Sequence, residues 1–139
     1  MGVVALWVFL NGRLRVAIIL VIAFGLSVAV KVPLKALIDR PRPSLAPLVH
    51  ASGAAFPSGH ALTAFLVFGL LPLVLLPVGP ARNVAWLDSA LIVLAIGFSQ
   101  IYLGEHWLTD VVGSYMLGAV FVLTVGAILG NRPAVQPPP

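Results

Sequence analysis

The chain has 139 residues, of which 60% are hydrophobic and only 9% are charged, and its formal net charge is +4. A water-soluble domain normally carries about a quarter charged residues, so this composition argues against an ordinary soluble fold and predicts that lipid surrounds most of the protein. The chain has no cysteine, which excludes disulfides and thiolate metal sites, and its cations are spread over short connections, which is not typical of a nucleic-acid-binding protein.

The first two apolar segments predict a helix fragment followed by a membrane-spanning helix. Residues 1–10 are apolar but too short to cross a bilayer core, which requires about 20 helical residues, and they lack the basic start and cleavage site of a secretory signal. We interpret them as the end of a helix whose beginning is missing, or as an interfacial segment, and therefore expect a partial chain. Leu14–Ile38 is long enough to span the bilayer and carries Lys35 to one membrane surface.

A long polar connection separates this helix from the next apolar run. Residues 39–56 are punctuated by prolines and are longer than most turns between helices, which indicates a functional loop. Pro57, Ser58, Gly59 and His60 then open the apolar run at residues 61–77. Proline and serine are favoured at the start of a helix, so we predict that a helix begins near Ser58.

The second half of the chain predicts two further spans. Residues 82–88 are interpreted as a loop at the opposite membrane surface, residues 87–103 as a span, and residues 107–129 as the last span. The expected fold is therefore an all-α polytopic membrane bundle with about four full transmembrane helices and an amino-terminal stub. Residues 1–130 form a single domain in this interpretation, and residues 131–139 form a disordered proline-rich tail.

Alternation of the spans brings most of the reactive side chains to one membrane face. The opposite face holds four arginines, so the positive-inside rule predicts that it is cytoplasmic and that the reactive face is extracytoplasmic. The raw cation count is four against four, and the bias appears only if Lys35 and Arg42 are set aside as site residues. The side chains that share the reactive face are Lys35, Arg40, Arg42, Ser58, His60, His106 and Asp110.

His106 and Asp110 are the centre of the predicted site. They lie four residues apart, so on a helix they share one face, and a carboxylate there could orient an imidazole. Arginine side chains and a helix amino end favour a phosphate group nearby. His106 would then act as a nucleophile on phosphorus and His60 as the proton donor, and we see no ligand set at a metal spacing.

Three segments together resemble the signature of the type 2 phosphatidic acid phosphatase and vanadium haloperoxidase superfamily, over residues 16–129. They are Lys35 with Arg42 and Pro43 seven residues on, the segment from Pro57 to His60, and Ser99 followed by His106 and Asp110. The resemblance implies a membrane phosphatase, commonly of six spans, that acts without cofactor on lipid phosphates or diphosphates. Phosphatidic acid, phosphatidylglycerol phosphate and undecaprenyl diphosphate are the substrates it suggests.

The resemblance also implies a role for each matched position. His106 would be the nucleophile, Asp110 its partner and His60 the general acid. The implied phosphate-binding residues are Lys35, Arg42, Ser58, Gly59 and, weakly, Gln100.

The sequence departs from the family pattern in two places. Gln100 stands where the family has an arginine, and by comparison with the six-span pattern we expect that about two amino-terminal helices are missing. Arg40 is interpreted as a surface cation, with partial replacement of the charge absent at Gln100 as the alternative. The alternative for the whole chain is a catalytically weak or inactive membrane module that binds a phosphorylated lipid. Vanadate-dependent halide oxidation is disfavoured by the apolar composition.

Overall fold

The described structure is all-α, as the sequence predicted. A computed structural model describes residues 1–43, 48–49 and 52–130, and the predicted tail at residues 131–139 lies outside them. Within these ranges the chain forms five helices and no strands. The helices are α1 (Gly2–Leu10), α2 (Leu14–Ile38), α3 (Gly59–Leu75), α4 (Pro80–Tyr102) and α5 (Leu108–Leu129).

Three of the described helices are long and apolar enough to cross a membrane, rather than the four full spans predicted. These are α2, α4 and α5, with 25, 23 and 22 residues. Helix α3 has 17 residues, which gives a length of about 25 Å against a hydrocarbon core of about 30 Å. It ends early because Leu76 precedes Pro77 and has the extended backbone that proline imposes on the residue before it.

Helix α4 begins earlier than the sequence predicted. Residues 82–88, which we interpreted as a loop, are helical, and Pro80 lies in the first turn. Proline is favoured there because its missing N–H has no helical partner to lose. The apolar pattern marked where the span becomes hydrophobic rather than where the helix starts. For α2 the two coincide, and its observed bounds are those predicted.

Helix α3 lies at the centre of the bundle and packs against both α4 and α5. Its buried leucines form the middle of the hydrophobic core. Close approach to α5 depends on small residues, since a β-carbon at Gly118 would lie 2.8 Å from Phe65, and one at Gly69 would lie 2.8 Å from Val122. Helix α1 packs mainly against α2, which in turn contacts α5.

The outer surface of the bundle is strongly apolar. Side chains such as Leu123, Met116 and Val21 are 72%, 68% and 60% exposed. Exposed apolar surface on this scale indicates contact with lipid rather than water. The chain is an integral membrane protein.

One end of the bundle gathers the carboxyl ends of α2 and α4 and the amino ends of α3 and α5. The loop after α2 is fixed there by backbone hydrogen bonds. Ala55 donates to the carbonyl of Arg40 at 2.8 Å, and Leu48 donates to the carbonyl of Leu103 at 3.1 Å. The first bond joins the two ends of the connection, and the second holds Leu48 against the turn between α4 and α5, which carries His106.

Candidate active site

Asp110 is buried in the first turn of α5 and fixes the start of that helix. One carboxylate oxygen, Oδ2, accepts a hydrogen bond from the backbone N–H of Trp107 at 2.9 Å. Carboxylates in the first helical turn satisfy amide groups that have no partner within the helix. The hydroxyl of Ser114 donates to the backbone carbonyl of Asp110 at 2.6 Å. The aspartate is therefore held rigidly from its own helix.

The other carboxylate oxygen of Asp110 is paired with Arg40. Nη1 of Arg40 lies 2.9 Å from Oδ1, with the aspartate side chain fully buried and the arginine side chain 36% exposed. The same nitrogen donates to the hydroxyl of Thr109 at 2.6 Å, and the guanidinium lies 5.8 Å from the ring centre of Trp107. Arg40 thus supports the buried carboxylate, a role that the sequence interpretation did not assign to it.

His106 is buried beside Asp110 but is not hydrogen-bonded to it. Its Nδ1 lies 3.7 Å from Oδ2 of Asp110, which exceeds hydrogen-bond distance. Within the described chain this buried nitrogen has no hydrogen-bond partner. Helix α5 begins at Leu108, so His106 precedes the helix and is not on a shared helical face with Asp110.

The surroundings of His106 favour its neutral form. Burial lowers the pKa of the imidazole below its ordinary value of 6.5, and the cationic side chains of Arg42 and Lys35 lower it further. The carboxylate of Asp110 and the backbone of Ala55 act in the opposite direction without reversing the shift. A neutral imidazole retains the lone pair that a nucleophile requires.

Lys35 and Arg42 face the loop that precedes α3. Nζ of Lys35 donates to the carbonyl of Ala54 at 2.5 Å. Arg42 donates to the carbonyls of Ser52, Gly53 and Glu105 at 3.1, 2.9 and 3.0 Å. Arg42 therefore ties this loop to the turn that carries His106, and both cations lie near enough to His106 to affect its pKa.

Ser58, Gly59 and His60 lie at the start of α3. Ser58 is fully buried, and its hydroxyl accepts from the amide of Ala61 at 3.4 Å, so it acts as the predicted helix cap. His60 is exposed and lines an open cleft of about 490 Å³ at the side of the bundle. The structure thus groups Lys35, Arg42, His106 and Asp110, whereas the side chain of His60 lies on the cleft.

Gln100 supports the turn before His106 through its backbone. Its carbonyl accepts from the amides of Glu105 and His106 at 3.1 and 3.2 Å. The side chain is buried, with Nε2 3.4 Å from the hydroxyl of Ser99 and with no partner for Oε1 among the described residues. The position thus offers a neutral amide where the resemblance implies a cation.

The part of the chain that the structure describes holds no group of three or more histidine or acidic side chains that could bind a metal ion. Metal-independent chemistry remains a prediction from the sequence.

The pairing of Arg40 with Asp110 could not be found from sequence spacing, because the two residues are 70 positions apart. The sequence feature that came nearest to indicating a role for Arg40 was its position two residues before Arg42. That proximity led us to consider it as a phosphate ligand rather than as the partner of the buried aspartate.

Two curated proteins are similar to this chain in sequence. Phosphatidylglycerophosphatase B of Bacillus subtilis (strain 168) is 33% identical over 112 residues, which cover 78% of this chain and 55% of that protein. The Escherichia coli (strain K12) protein named "Putative undecaprenyl-diphosphatase YbjG" is 31% identical over 133 residues, covering 90% of this chain and 63% of its own length.

A solved structure has the same fold. The crystal structure of a transmembrane PAP2 type phosphatidylglycerolphosphate phosphatase from Bacillus subtilis matches with a TM-score of 0.72 and 31% identity, covering 81% of this chain and 58% of that one. This chain therefore spans between about half and two thirds of the length of these relatives. The model of the PAP2 superfamily matches residues 16–133, and the chain belongs to that superfamily, as its three-part signature indicated.

Proposed function

We propose that this chain is a membrane phosphatase that removes phosphate from a lipid phosphate or diphosphate through a phosphohistidine at His106. The observation that carries the proposal is the buried imidazole of His106, whose pKa is lowered by burial and by two nearby cations, Arg42 and Lys35. A neutral nucleophile next to fixed positive charge suits attack on an anionic phosphoryl group. The relatives are named for hydrolysis of phosphatidylglycerophosphate and undecaprenyl diphosphate, which supports this substrate class.

The proposed reaction has two steps. Nε2 of His106 attacks the terminal phosphorus, the bond from phosphorus to the leaving oxygen breaks, and His60 supplies a proton to that oxygen. Lys35 and Arg42 stabilise the charge that develops on the phosphoryl oxygens, together with the backbone at Ser58 and Gly59. Water then hydrolyses the phosphohistidine and releases inorganic phosphate. In this proposal the site faces away from the cytoplasm, following the distribution of arginines.

Asp110 positions His106 in this scheme from a fixed carboxylate. Its Oδ2 is already bonded to the amide of Trp107, and the distance to Nδ1 of His106 is 3.7 Å. A small rotation of the imidazole would close that distance when substrate binds, and catalytic hydrogen bonds often tighten in this way. The carboxylate would then stabilise the histidine as it becomes positively charged.

Phosphate release from phosphatidic acid, phosphatidylglycerol phosphate and undecaprenyl diphosphate tests the proposal. The purified chain should release phosphate in the presence of EDTA, His106→Ala should abolish release, and His60→Ala should lower it by about two powers of ten or more. Arg82→Gln, at the opposite end of α4, is the control and should behave as wild type. Full activity of His106→Ala would rule out the phosphohistidine.

A second candidate is a non-catalytic module that binds a phosphorylated lipid. It is favoured by the neutral Gln100 and by the carbonyls that engage Lys35 and Arg42. Gln100→Arg separates the two proposals. A charged contact is worth about 1.5 to 3 kcal/mol, so it should raise turnover by about one to two powers of ten in a weak enzyme. Lipid binding without turnover in both proteins would favour the module.

A further inference from the structure

A cleft opens beside the candidate site between α2, α3 and α4. Its volume is about 490 Å³, and its walls are largely apolar. Its polar side chains are Lys31, His60 and Thr63, and the apolar wall includes Val67, Phe68 and Ile96. Such a combination of an apolar wall with a few polar groups is typical of a site for an amphipathic molecule. Because the cleft opens on the side of the bundle, that molecule would be a membrane lipid.

Lys31 has no role in the chemistry described above. It precedes Lys35 by four residues on α2, so the two residues lie on the same helical face, with their backbone positions about 6 Å apart along the axis. Nζ of Lys31 reaches the start of α3, since a β-carbon at Gly59 would lie 3.7 Å from it. Neither of the two salt bridges found among the described residues involves Lys31.

Two lysines at this spacing repel each other, and a cation within a membrane helix is costly. An anion bound between them would offset both effects. Lys35 lies nearer the polar end of α2, where the terminal phosphoryl group is attacked. Lys31 lies one turn closer to the centre of the membrane, beside His60, which would protonate the leaving oxygen. A negative charge near Lys31 would therefore belong to the leaving group of the substrate.

We propose that Lys31 binds the second phosphate of a lipid diphosphate and makes the enzyme prefer diphosphates over lipid monophosphates. This inference rests on the proposed function. In the reaction, the bond from the terminal phosphorus to the bridging oxygen breaks, and that oxygen receives the proton from His60. The lipid monophosphate is left beside Lys31, and water releases inorganic phosphate from His106. The apolar wall of the cleft contacts the first part of the lipid chain.

A matched pair of substrates isolates the second phosphate. A polyprenyl diphosphate and the monophosphate of the same polyprenol have the same chain, so they differ only in the group assigned to Lys31. Phosphate release from both is measured with the full chain in lipid nanodiscs for wild type, Lys31→Met, Lys31→Arg and Arg82→Gln. Methionine keeps the length of the aliphatic side chain in the cleft without its charge. Arg82→Gln removes a cation at the opposite end of the molecule.

Lys31→Met should lower kcat/KM for the diphosphate by about 10- to 100-fold and change that for the monophosphate by less than about twofold. Lys31→Arg should retain most of the preference, and Arg82→Gln should retain all of it. An equal loss for both substrates, or no loss for either, would overturn the inference while leaving the phosphatase intact.

A binding measurement separates failure of this inference from failure of the proposed function. If wild type releases phosphate from neither substrate, the proposed activity is wrong, and the affinities of the same proteins for the two lipids then decide the role of Lys31. Tighter binding of the diphosphate that is lost in Lys31→Met supports the inference. Equal affinities for the two lipids in wild type overturn it.

Discussion

Arg40 and Asp110 form a partly buried ion pair beside His106, the proposed nucleophile. The aspartate is fully buried and the arginine is partly exposed, so removing the arginine would leave a buried carboxylate with one hydrogen-bond donor fewer. The remaining donor to that carboxylate is the amide of Trp107. The cost of such a loss is about 1 to 3 kcal/mol of folding stability.

Arg40→Met should also change the pH dependence of activity. In the proposed mechanism only neutral His106 attacks phosphorus, so the acidic limb of kcat/KM should report its protonation. Burial and the cations of Arg42 and Lys35 lower that pKa, whereas Asp110 raises it. Without Arg40, the negative charge of Asp110 would no longer be partly neutralised, so it would stabilise protonated His106 more strongly. The pKa of His106 would then rise, and the acidic limb of the profile would move to higher pH.

The measurement is a pH profile of phosphate release for wild type, Arg40→Met and Arg40→Lys, with a thermal melt of each protein. Lysine retains the charge, so Arg40→Lys should keep the wild-type acidic limb. If Arg40→Met lowers stability but leaves the profile unchanged, the arginine is a structural partner of Asp110 and does not affect His106.

The sequence was enough to identify the superfamily but not to predict the contacts between its residues. The order and spacing of Lys35, Arg42, His60 and His106 were enough to identify the superfamily, because those residues lie at set positions in short segments. The contact of Arg40 with Asp110 joins two segments whose approach depends on how the helices pack. Gln100 shows the same limit. Its place in the motif showed that the arginine of the family pattern is absent, but not that the backbone carbonyl of Gln100 holds the turn before His106.

At the scale of helices, Gly97 lies where α4 packs closely against α5. A β-carbon there would lie 1.8 Å from the hydroxyl of Tyr115 and 2.7 Å from a methyl group of Val111. The hydroxyl of Tyr115 also donates to the carbonyl of Val93 on α4 at 2.6 Å. The hydroxyl that makes this hydrogen bond therefore occupies the space that a side chain at position 97 would need.

Gly97→Ala should destabilise the protein by about 1 to 3 kcal/mol, because the added methyl group must displace Tyr115 and part of α5. Gly25→Ala on α2 is the matched control, since nothing lies within 4 Å of a β-carbon there, and it should be neutral or slightly stabilising. Tyr115→Phe in the Gly97→Ala background should recover part of the loss by removing the nearest atom. Equal melting of the Gly97→Ala and Gly25→Ala proteins in detergent would contradict this packing.

Helix ends were predictable where the apolar pattern and the backbone signal coincide. In α2 the apolar pattern and the helical backbone both begin at Leu14 and end at Ile38, so the bounds of this helix were predicted correctly. The pattern and the backbone separate in α4, where Pro80 starts the helix while the side chains of the first turns are still polar. Hydropathy marks where a helix enters the lipid, whereas the start of the helix is set by its capping residues. Residues 82–88 are therefore helical although their polar side chains led us to predict a loop.

At the scale of the whole molecule, the distribution of cations bears on which side of the membrane the site faces. Lys31, Lys35, Arg40 and Arg42 lie toward one end, and Arg13, Arg15 and Arg82 lie at the other with Arg132 beyond the described residues, so a simple count gives no bias. The structure adds Arg40 to the cations engaged within the site, through Asp110. The three described arginines at the opposite end then outnumber Lys31, the one remaining cation at the site end, so the positive-inside rule supports our proposal of an extracytoplasmic site.

The absence of cysteine makes this orientation testable with single substitutions. Ser52 is exposed at the site end, and Asn11 is exposed in the turn between α1 and α2 at the other end. In intact cells, a membrane-impermeant maleimide should label Ser52→Cys, whereas Asn11→Cys should be labelled only after permeabilisation. Because the two positions lie at opposite ends of α2, their labelling must be reciprocal if that helix spans the bilayer. The opposite pattern would place the site in the cytoplasm, and labelling of both in intact cells would contradict a spanning α2.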